Sequence, residues 1–408
     1  MNPRRSKLAS LLEQARQTSD RLLAAVRPGA EYERPIAARH RIVFYIGHLD
    51  AFDWNLIGAA GLGCPAVDPV FDSLFARGID PPPGQLPQDR PSDWPRLDEV
   101  RRYVRHARTQ VDAVLPHADE ERVHFAIEHR LMHLETFAYL LHQLSPRDKI
   151  ALEQAPEPAR SPQARRRIEV PAGPVRLGRE HGNAFGWDNE FGALEVELPT
   201  FAIDSHKVSN GDWLQHVRDG GAVPPFWIAA PGSATGWRLA TLFGEIDLPL
   251  AWPAWVTQAQ ASAYAASRGL SLPSEAQWAR AAYGTPAGEE RRQPWGDADA
   301  RPEHGNFGLR RFDPVAVDAH PAGTSAFGLA QMVGNGWEWT STAFGPLPGF
   351  APHPAYPGYS ADFFDGAHVV LKGAAPLTHT QLVRRGFRNW FRPDYPFVHA
   401  GFRCVATH

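Results

Sequence analysis

The chain has 408 residues, more than a single hydrophobic core usually holds, so its length predicts two domains. Its composition is globular, with 43% hydrophobic and 21% charged residues, and a formal net charge of −3 gives no electrostatic case for a nucleic-acid or anionic-membrane partner. Two cysteines, an N-terminus without the apolar segment of a signal peptide and no run of about 18 apolar residues predict a cytoplasmic protein with no disulfide framework and no membrane span.

The first 145 residues carry the apolar periodicity of α-helices. Leucines and alanines at helical spacing predict a first helix over residues 8–26, which a Pro-Gly pair ends. The pattern predicts a second helix over about residues 35–57, and this helix carries His48. A connection rich in proline, glycine and aspartate follows over about residues 61–95, and loops of that length are often functional.

Two more helices are predicted over about residues 97–115 and 118–144. They complete a small four-helix bundle with one long crossover, and the core of such a bundle is a natural place for a metal site. Residues 151–167 are rich in proline, alanine and charge, as linkers are. We therefore expect a helical domain at residues 1–150 and a second domain at residues 168–408.

The second domain has short apolar runs separated by glycine, proline, asparagine and tryptophan. This pattern of residues predicts a loop-rich α+β fold rather than another helical bundle. Helices are predicted near residues 257–267 and 274–283, and Ser274 is a plausible N-cap for the second of them. The fold class is thus a four-helix bundle followed by an α+β domain.

One feature of the predicted bundle points to chemistry, because His129 and His133 form an H-x-x-x-H pair on the fourth helix. Residues four apart lie on the same helix face, so the two imidazoles have about the spacing that a metal needs. His48 on the second helix is a candidate third ligand. On geometry alone His40 and His106 compete with it, and histidines that simply bond to backbone or water remain the alternative interpretation.

Motifs of the second domain follow one another in the order of a known domain family. They are VPAGPVRLG (170–178), FGWDNE (185–190), FAID (201–204), VSN (208–210), LSLPSEAQW (270–278), GNGWEWT (334–340), FRNW (387–390) and GFR (401–403). Each is weak alone, but the ordered set resembles the formylglycine-generating-enzyme-like domain. That resemblance implies a C-type-lectin-like α+β fold.

A bundle of the DinB type with these histidines, followed by this domain, resembles the sulfoxide synthases of ergothioneine biosynthesis over nearly the whole chain. The resemblance implies a mononuclear non-heme Fe(II) ion held by His48, His129 and His133, with O2 as a co-substrate. It also implies that the substrate is hercynine, the trimethylated betaine of histidine. The family joins a sulfur donor to the imidazole of that molecule.

Three departures from the family pattern argue against the usual thiol donor. Met132 stands where a family glutamine helps to bind hercynine, and Phe391 stands where some members have an aspartate that contacts γ-glutamylcysteine. The family's Gly-Gly-Ser-Trp stretch is Gly-Ala-Ala-Pro at residues 373–376. Stretches around the metal histidines and Asn389 look closer to the selenoneine synthase branch, which is understood to attach selenium from a selenosugar to hercynine. We expect that donor, and cysteine or γ-glutamylcysteine is the alternative.

The resemblance also implies an active-site tyrosine that supplies a proton. Tyr356 and Tyr359 lie at about the right place before Asn389, and simple loop packing is the alternative for both. The trimethylammonium group of hercynine donates no hydrogen bond, so aromatic faces or carboxylates must hold it. Trp390 and Phe391 are candidate walls of that pocket, and Asn389 is a candidate contact for the carboxylate or the imidazole.

Charged side chains of the first domain have candidate supporting roles. Arg90 and Arg96, in the long connection, have the charge to bind the two carboxylates of γ-glutamylcysteine, although exposed loop arginines are usually only solvated. A ligand imidazole should donate its second N–H to an acceptor, and Asp50, Asp53 and Glu135 are the candidates. On a helical wheel Glu135 points away from both histidines of its helix, so we expect it to support or pack and not to bind the metal.

Two other function classes compete with the iron enzyme. A formylglycine-generating-type oxidase relies on a cysteine pair that binds copper, and Cys404 stands alone in the second domain, which argues against that chemistry. A non-catalytic binding module, with a lectin-like recognition domain and a structural zinc, is the second competitor, because a fold does not fix a function. Metal content and hercynine-dependent O2 uptake separate these classes from the first.

Overall fold

The structure is a computed structural model of the chain. It describes residues 3–76, 86–157, 164–182 and 184–407. Part of the predicted long connection and part of the predicted linker, residues 77–85 and 158–163, lie outside the described residues. The chain divides into two compact units, Met1–Glu153 and Gln154–His408. None of the described helices is both long and apolar enough to cross a bilayer.

The first unit is helical. Its helices are α1 (Pro3–Leu23), α2 (Ile42–Trp54), α3 (Ala60–Leu62), α4 (Pro69–Leu74), α5 (Leu97–Val114) and α6 (Glu120–Gln143). A π-helical segment at Asn55–Ala59 joins α2 to α3, and such segments often lie near functional sites. The core contains fully buried side chains from each of the longer helices, among them Leu12, Ile42, Val111 and Phe125.

The helix that carries His48 begins later than the periodicity predicts. It starts at Ile42 and not near residue 35, because Arg41 has an extended backbone. The guanidinium of Arg41 binds the carbonyl oxygen of Tyr32 and the carboxylate of Asp89, and these bonds hold the preceding segment outside the helix. Hydrogen bonds from distant residues therefore set this boundary.

The long connection contains α4, a helix that the sequence analysis missed. Asp68 caps it, since its carboxylate accepts the backbone N–H groups of Val70 and Phe71, and Pro69 occupies the first helical position. An aspartate cap followed by proline is a known start signal. The signal was overlooked here because prolines and aspartates are common throughout the connection.

The second unit is an α+β domain of short strands and loops. Its helices are α7 (Asn210–Arg218), α8 (Gln258–Ala266) and α9 (Glu275–Tyr283). Its strands are β1 (Arg167–Val170), β2 (Gly173–Leu177), β3 (Leu194–Leu198), β4 (Phe201–Asp204), β5 (Trp227–Ala229), β6 (Trp237–Ala240), β7 (Glu245–Asp247), β8 (Gly336–Ala343), β9 (Val369–Ala374), β10 (Asn389–Phe391), β11 (Ala400–Gly401) and β12 (Val405–Thr407). Both predicted helices, α8 and α9, are present, with Thr257 and Ser274 as their N-caps.

Four small sheets make up the strand part of the second unit. Their strand orders are β1-β4-β12, β10-β9-β8-β11, β2-β3 and β5-β6-β7. All pairs are antiparallel except β11 with β8. The core between helix α9 and these sheets contains Trp278, Phe201 and Met332, all fully buried.

Motif residues of the second unit form buried ion pairs that tie distant segments together. Arg403 binds both carboxylate oxygens of Glu338 at 2.7 and 2.9 Å, and Lys207 lies 3.1 Å from the same group. Arg388 likewise binds Glu275 at 3.0 and 3.1 Å, which fixes the segment just before β10 to α9. A buried charge is costly without a partner, so these motifs maintain the fold.

The described ends of the predicted linker bond to the second unit. Gln154 accepts the backbone N–H of Phe312, and the N–H of Ala155 donates to the carbonyl oxygen of Arg310. Near the other end, the N–H of Arg166 donates to Ser205. The segment whose composition predicts a linker therefore includes residues with fixed hydrogen bonds.

Candidate metal centre

The structure brings His48, His129 and His133 together inside the first unit. His48 lies in the middle of α2, and the other two lie one turn apart on α6. One ring nitrogen from each lies within 4.8 Å of the others, and Nε2 of His48 is 3.3 Å from Nε2 of His133. Within the described part of the chain, this is the one group of three metal-binding side chains found so close together.

The spacing between the facing nitrogens of His48 and His133 suits a shared metal ion. Two nitrogens that each lie about 2.1 Å from one metal are about 3.0 Å apart at a right angle and about 3.4 Å apart at the tetrahedral angle. The 3.3 Å between His48 and His133 falls in that range. Imidazole binds zinc, copper, iron and nickel, so the donor set fits a transition metal without selecting one.

The protonation state of His133 also suits a ligand. Desolvation by the surrounding protein lowers the pKa of His133 well below its ordinary value, and the charges of His48, Arg39 and Arg130 lower it further. A metal needs the free lone pair of a neutral imidazole. His48 and His129 are 3% and 2% exposed, and His133 is partly exposed although its Nδ1 is buried.

Two phenylalanines of α2 hold the rings of the cluster in place. Phe44 stacks on His48 with a centroid distance of 4.7 Å, and Phe52 stacks on His129 at 3.5 Å and 10°. Both phenylalanines lie four residues from His48, and a helix places residues four apart on one face. Neither phenylalanine was predicted from the sequence, although their spacing from His48 was a usable signal.

A backbone carbonyl orients His48. Its Nδ1 lies 2.8 Å from the carbonyl oxygen of Phe75, just after α4. A carbonyl oxygen only accepts, so Nδ1 carries the proton and Nε2 is left as the nitrogen that faces His133. No residue type identifies such an acceptor, because every residue has a carbonyl.

Two of the candidate acceptors for the ligand imidazoles, Asp50 and Asp53, pair with a different residue in the structure. Both carboxylates bind the guanidinium of Arg130 instead, at 2.7 and 2.6 Å. Burial alone raises the pKa of both carboxyl groups. For Asp50 the charges of Arg130 and Arg108 outweigh burial and the net pKa is lowered, while for Asp53 burial prevails and the pKa is raised.

The remaining side chains named around the cluster have other partners. Glu135 accepts a hydrogen bond from the hydroxyl of Tyr139 at 3.1 Å, consistent with the supporting role expected for it. His40 packs against Phe44, and His106 is exposed and bonds to a glutamine side chain on its own helix. The geometry therefore favours His48 over both competitors as the third member of the cluster.

The second unit gathers three of the residues predicted for substrate binding and proton supply. Tyr359 stacks on Trp187 with a centroid distance of 3.9 Å and meets the ring of Trp390 edge-on at 5.3 Å. Tyr356 lies 6.0 Å from Trp187 and 5.6 Å from Tyr359. Phe344 stacks on the other side of the group, 4.2 Å from Trp390. Trp187 and Phe344 were not predicted as members.

The three residues of β10 do not share one surface. Adjacent residues of a strand point to opposite faces, so Asn389 and Phe391 lie on the face opposite Trp390. Phe391 stacks on Tyr395 at 4.7 Å, and the side-chain oxygen of Asn389 accepts the N–H of Trp390. Trp390 is the member of this strand that joins the tyrosine group.

Both loop arginines lie at the surface of the first unit. Arg96 directly precedes α5, is 82% exposed at its side chain and pairs with Asp98 in the first turn of that helix. Arg90 is exposed, and its backbone N–H donates to Asp93. Among the residues that the structure describes, neither has a partner that would fix its guanidinium for a carboxylate, so their proposed role depends on a ligand to order them.

Comparison with known proteins follows the same division of the chain. Residues 153–408 match the family model described as the Sulfatase-modifying factor enzyme 1-like domain. A histidine cluster in a helical unit, followed by a domain of this family, defines a class of two-unit proteins with a candidate metal centre.

Relatives extend the match into the helical unit. The chain is 32% identical to the hercynine oxygenase of Mycolicibacterium thermoresistibile over 99% of this chain and 95% of that protein. It is 37% identical to the hercynine oxygenase of Mycobacterium tuberculosis, over 53% of this chain and 55% of that protein. The match to ergothioneine biosynthesis protein 1 of Schizosaccharomyces pombe is 26% identical and covers 92% of this chain, which spans about half (52%) of that relative. The chain belongs to the sulfoxide synthase family of ergothioneine biosynthesis.

Proposed function

We propose that the chain is a mononuclear non-heme Fe(II) enzyme that uses O2 to join a selenosugar to the imidazole of hercynine. The alternative is an ergothioneine-type sulfoxide synthase that uses cysteine or γ-glutamylcysteine as the donor. The observation that carries the proposal is the three-histidine cluster, found in a chain that resembles a hercynine oxygenase over 99% of its length. The helical unit is, in this proposal, a DinB-type bundle that holds the iron.

The residues of the cluster divide the work of holding the metal. His48, His129 and His133 would each give one imidazole nitrogen, and three ligands on one side leave further positions for other groups. Bound Fe(II) would supply electrons for the reduction of O2 and a coordination position for the soft selenium or sulfur of the donor. Phe44 and Phe52 limit rotation of two of the rings, which reduces the rearrangement that metal binding requires.

The aromatic group of the second unit has the chemistry to bind hercynine. A quaternary ammonium group is attracted to the faces of tryptophan and tyrosine rings, and the partly exposed Tyr359 and Trp390 provide two such rings in contact. The buried ring of Trp187 stacks on Tyr359 and supports it. In the same group a tyrosine hydroxyl is available to give a proton to reduced oxygen, and general acids of this kind typically contribute 10²–10⁴-fold.

Support for a selenosugar over γ-glutamylcysteine comes from the charges of the first unit. A donor with two carboxylates calls for fixed cations. Asp89 already engages both Arg34 and Arg41, while Arg90 and Arg96 lie exposed on the surface. A neutral sugar needs none of these arginines.

The proposed reaction balances without a further reductant. The imidazole C–H of hercynine and the Se–H of the sugar each lose hydrogen, and one O2 takes four electrons. Two of these electrons come from formation of the carbon–selenium bond and two from oxygenation of selenium. One oxygen atom stays on selenium, and the other leaves as water with the two hydrogens.

Anaerobic reconstitution with Fe(II), followed by O2 and hercynine, tests the proposal. A selenosugar, cysteine and γ-glutamylcysteine are offered together, and mass spectrometry identifies the adduct. We expect a selenium adduct that His129→Ala abolishes and His106→Ala preserves, because His106 is an exposed histidine of the same unit with no place in the cluster. A thiol adduct that forms much faster than the selenium adduct would overturn the donor, and no adduct with any donor would overturn the proposed function.

A further inference from the structure

We propose that Arg130 is a positioning residue for the metal centre and that it sets the register of α6 against α2 through Asp50 and Asp53. This inference rests on the proposed function only in taking His48, His129 and His133 to be metal ligands. Arg130 is proposed to fix the alignment of α6 against α2. A metal-binding measurement reports on that alignment without catalytic turnover.

One guanidinium joins three helices in the interior of the first unit. Nη2 of Arg130 lies 2.7 Å from Oδ1 of Asp50 and 2.6 Å from Oδ2 of Asp53, and Nη1 donates to the hydroxyl of Ser19 on α1 at 3.1 Å. The side chains of Arg130, Asp50 and Asp53 are between 0% and 2% exposed. The contact is therefore shielded from water and directional, which makes it sensitive to any shift of the helices.

The partners of Arg130 flank the metal histidines along both helices. Arg130 directly follows His129 on α6, while Asp50 and Asp53 lie two and five residues beyond His48 on α2. Because the two aspartates are three residues apart, they share one face of α2 and receive the same nitrogen. We call the contact of Arg130 with Asp50 and Asp53 the clamp. It lies within about one and a half helical turns of the metal histidines on both helices.

The cluster needs a fixed register because its ligands come from two helices. His48 is on α2 and the other two histidines are on α6, so the distances among them depend on how the helices are aligned. A slip of one residue moves a helix by about 1.5 Å, whereas metal-ligand distances tolerate about 0.2 Å. A directional buried polar contact adds to the packing that specifies the register of two helices.

Stability alone does not account for the clamp. Replacing a buried ion pair completely with uncharged groups is often neutral or even stabilising, because the charges no longer lose their hydration. Fixing a register is the best-attested use of buried polar groups in helical bundles. Asp53 has Arg130 as its ionic partner, so the two charges can be removed together, while Asp50 keeps Arg108.

The test compares Co(II) binding by the metal-free full chain and its variants. We expect Arg130→Met/Asp53→Asn to stay folded by far-UV circular dichroism but to bind Co(II) about 10- to 100-fold more weakly, with a changed ligand-field spectrum. Arg130→Lys should recover most of the affinity, because a single ammonium nitrogen can bridge both carboxylates as Nη2 does. The control is Arg34→Met, which removes another largely buried arginine of the first unit that pairs with Asp89 and should leave the affinity within about twofold.

Native affinity and a native spectrum in the double variant would overturn the inference, as would an Arg130→Lys protein that binds as weakly as the double variant. Failure of the unmodified chain to bind Co(II) or Fe(II) would instead overturn the proposed function, and this inference with it. Metal binding by the unmodified chain therefore distinguishes failure of the inference from failure of the proposed function.

Discussion

At the scale of single residues, the orientation of His48 depends on groups that no metal-binding motif includes. Its ring is held by the face of Phe44 and by the carbonyl oxygen of Phe75. The sequence could predict the three histidines, because ligand type and helical spacing are local properties. It could not predict the carbonyl or the salt bridges of Arg130, because those depend on which segments meet in the fold.

Among the two candidate tyrosines, the contacts favour Tyr359 as the proton donor, because its ring lies against both Trp187 and Trp390. We expect Tyr359→Phe to lower turnover by about 100-fold or more, since general acids contribute about 10²–10⁴-fold. Iron affinity should not change, because the variant removes only a hydroxyl from the second unit. Single-turnover kinetics of the iron-loaded protein measure the rate in each variant. A larger decrease in this rate in Tyr356→Phe than in Tyr359→Phe would contradict the assignment.

At the scale of elements, α2 carries the candidate metal ligand His48 and the two phenylalanines that stack on the cluster, and it lies close to the segment after α4. Periodicity predicted the helix, but it placed the start too early, because the bonds of Arg41 that end the preceding segment are long-range. The same limit applies to the sheets of the second unit. Pairings such as β12 with β4 join residues about two hundred positions apart, and no local pattern specifies them.

Gly47 tests the packing of α2 against the segment after α4. A methyl group at this position would lie 2.6 Å from ring atoms of Phe75, the residue whose carbonyl orients His48. In an open helix Gly→Ala stabilises by about 1 kcal/mol, but here we expect Gly47→Ala to destabilise by about 1–3 kcal/mol and to weaken Co(II) binding.

Urea unfolding followed by circular dichroism, together with a Co(II) titration, measures both effects. Gly232→Ala is the control, because a methyl group there meets nothing within 4 Å. A Gly47→Ala protein that is more stable than the unmodified chain and binds Co(II) normally would show that this close approach has no role in the site.

At the scale of the whole molecule, stability should depend on pH through His379, which is partly exposed in the second unit, as well as through ion pairs. Burial lowers the pKa of His379 to about 4. The unfolded chain takes up this proton below about pH 6.5, whereas the folded second unit does so only near pH 4. Stability is therefore unaffected by His379 above about pH 7 and falls as the pH is lowered, by about 2 kcal/mol at pH 5.

We expect His379→Asn to lose this part of the pH dependence while keeping an acceptor for the N–H of Gln381. Tryptophan fluorescence during urea unfolding at pH 7.5 and pH 5 measures the stability of the second unit. Of the 13 tryptophans, only Trp54 and Trp94 lie in the first unit. An equal loss of stability at pH 5 in the variant and the unmodified chain would contradict the assignment to His379.

The central claim is that the three histidines hold an iron that acts on hercynine. O2 uptake by the Fe(II)-loaded chain, measured with and without hercynine in the presence of a selenosugar, tests it most directly. We predict uptake that requires hercynine, with about one iron per chain, and we predict that His129→Ala abolishes both iron retention and uptake. Uptake that does not depend on hercynine, or that persists unchanged in His129→Ala, would contradict the claim.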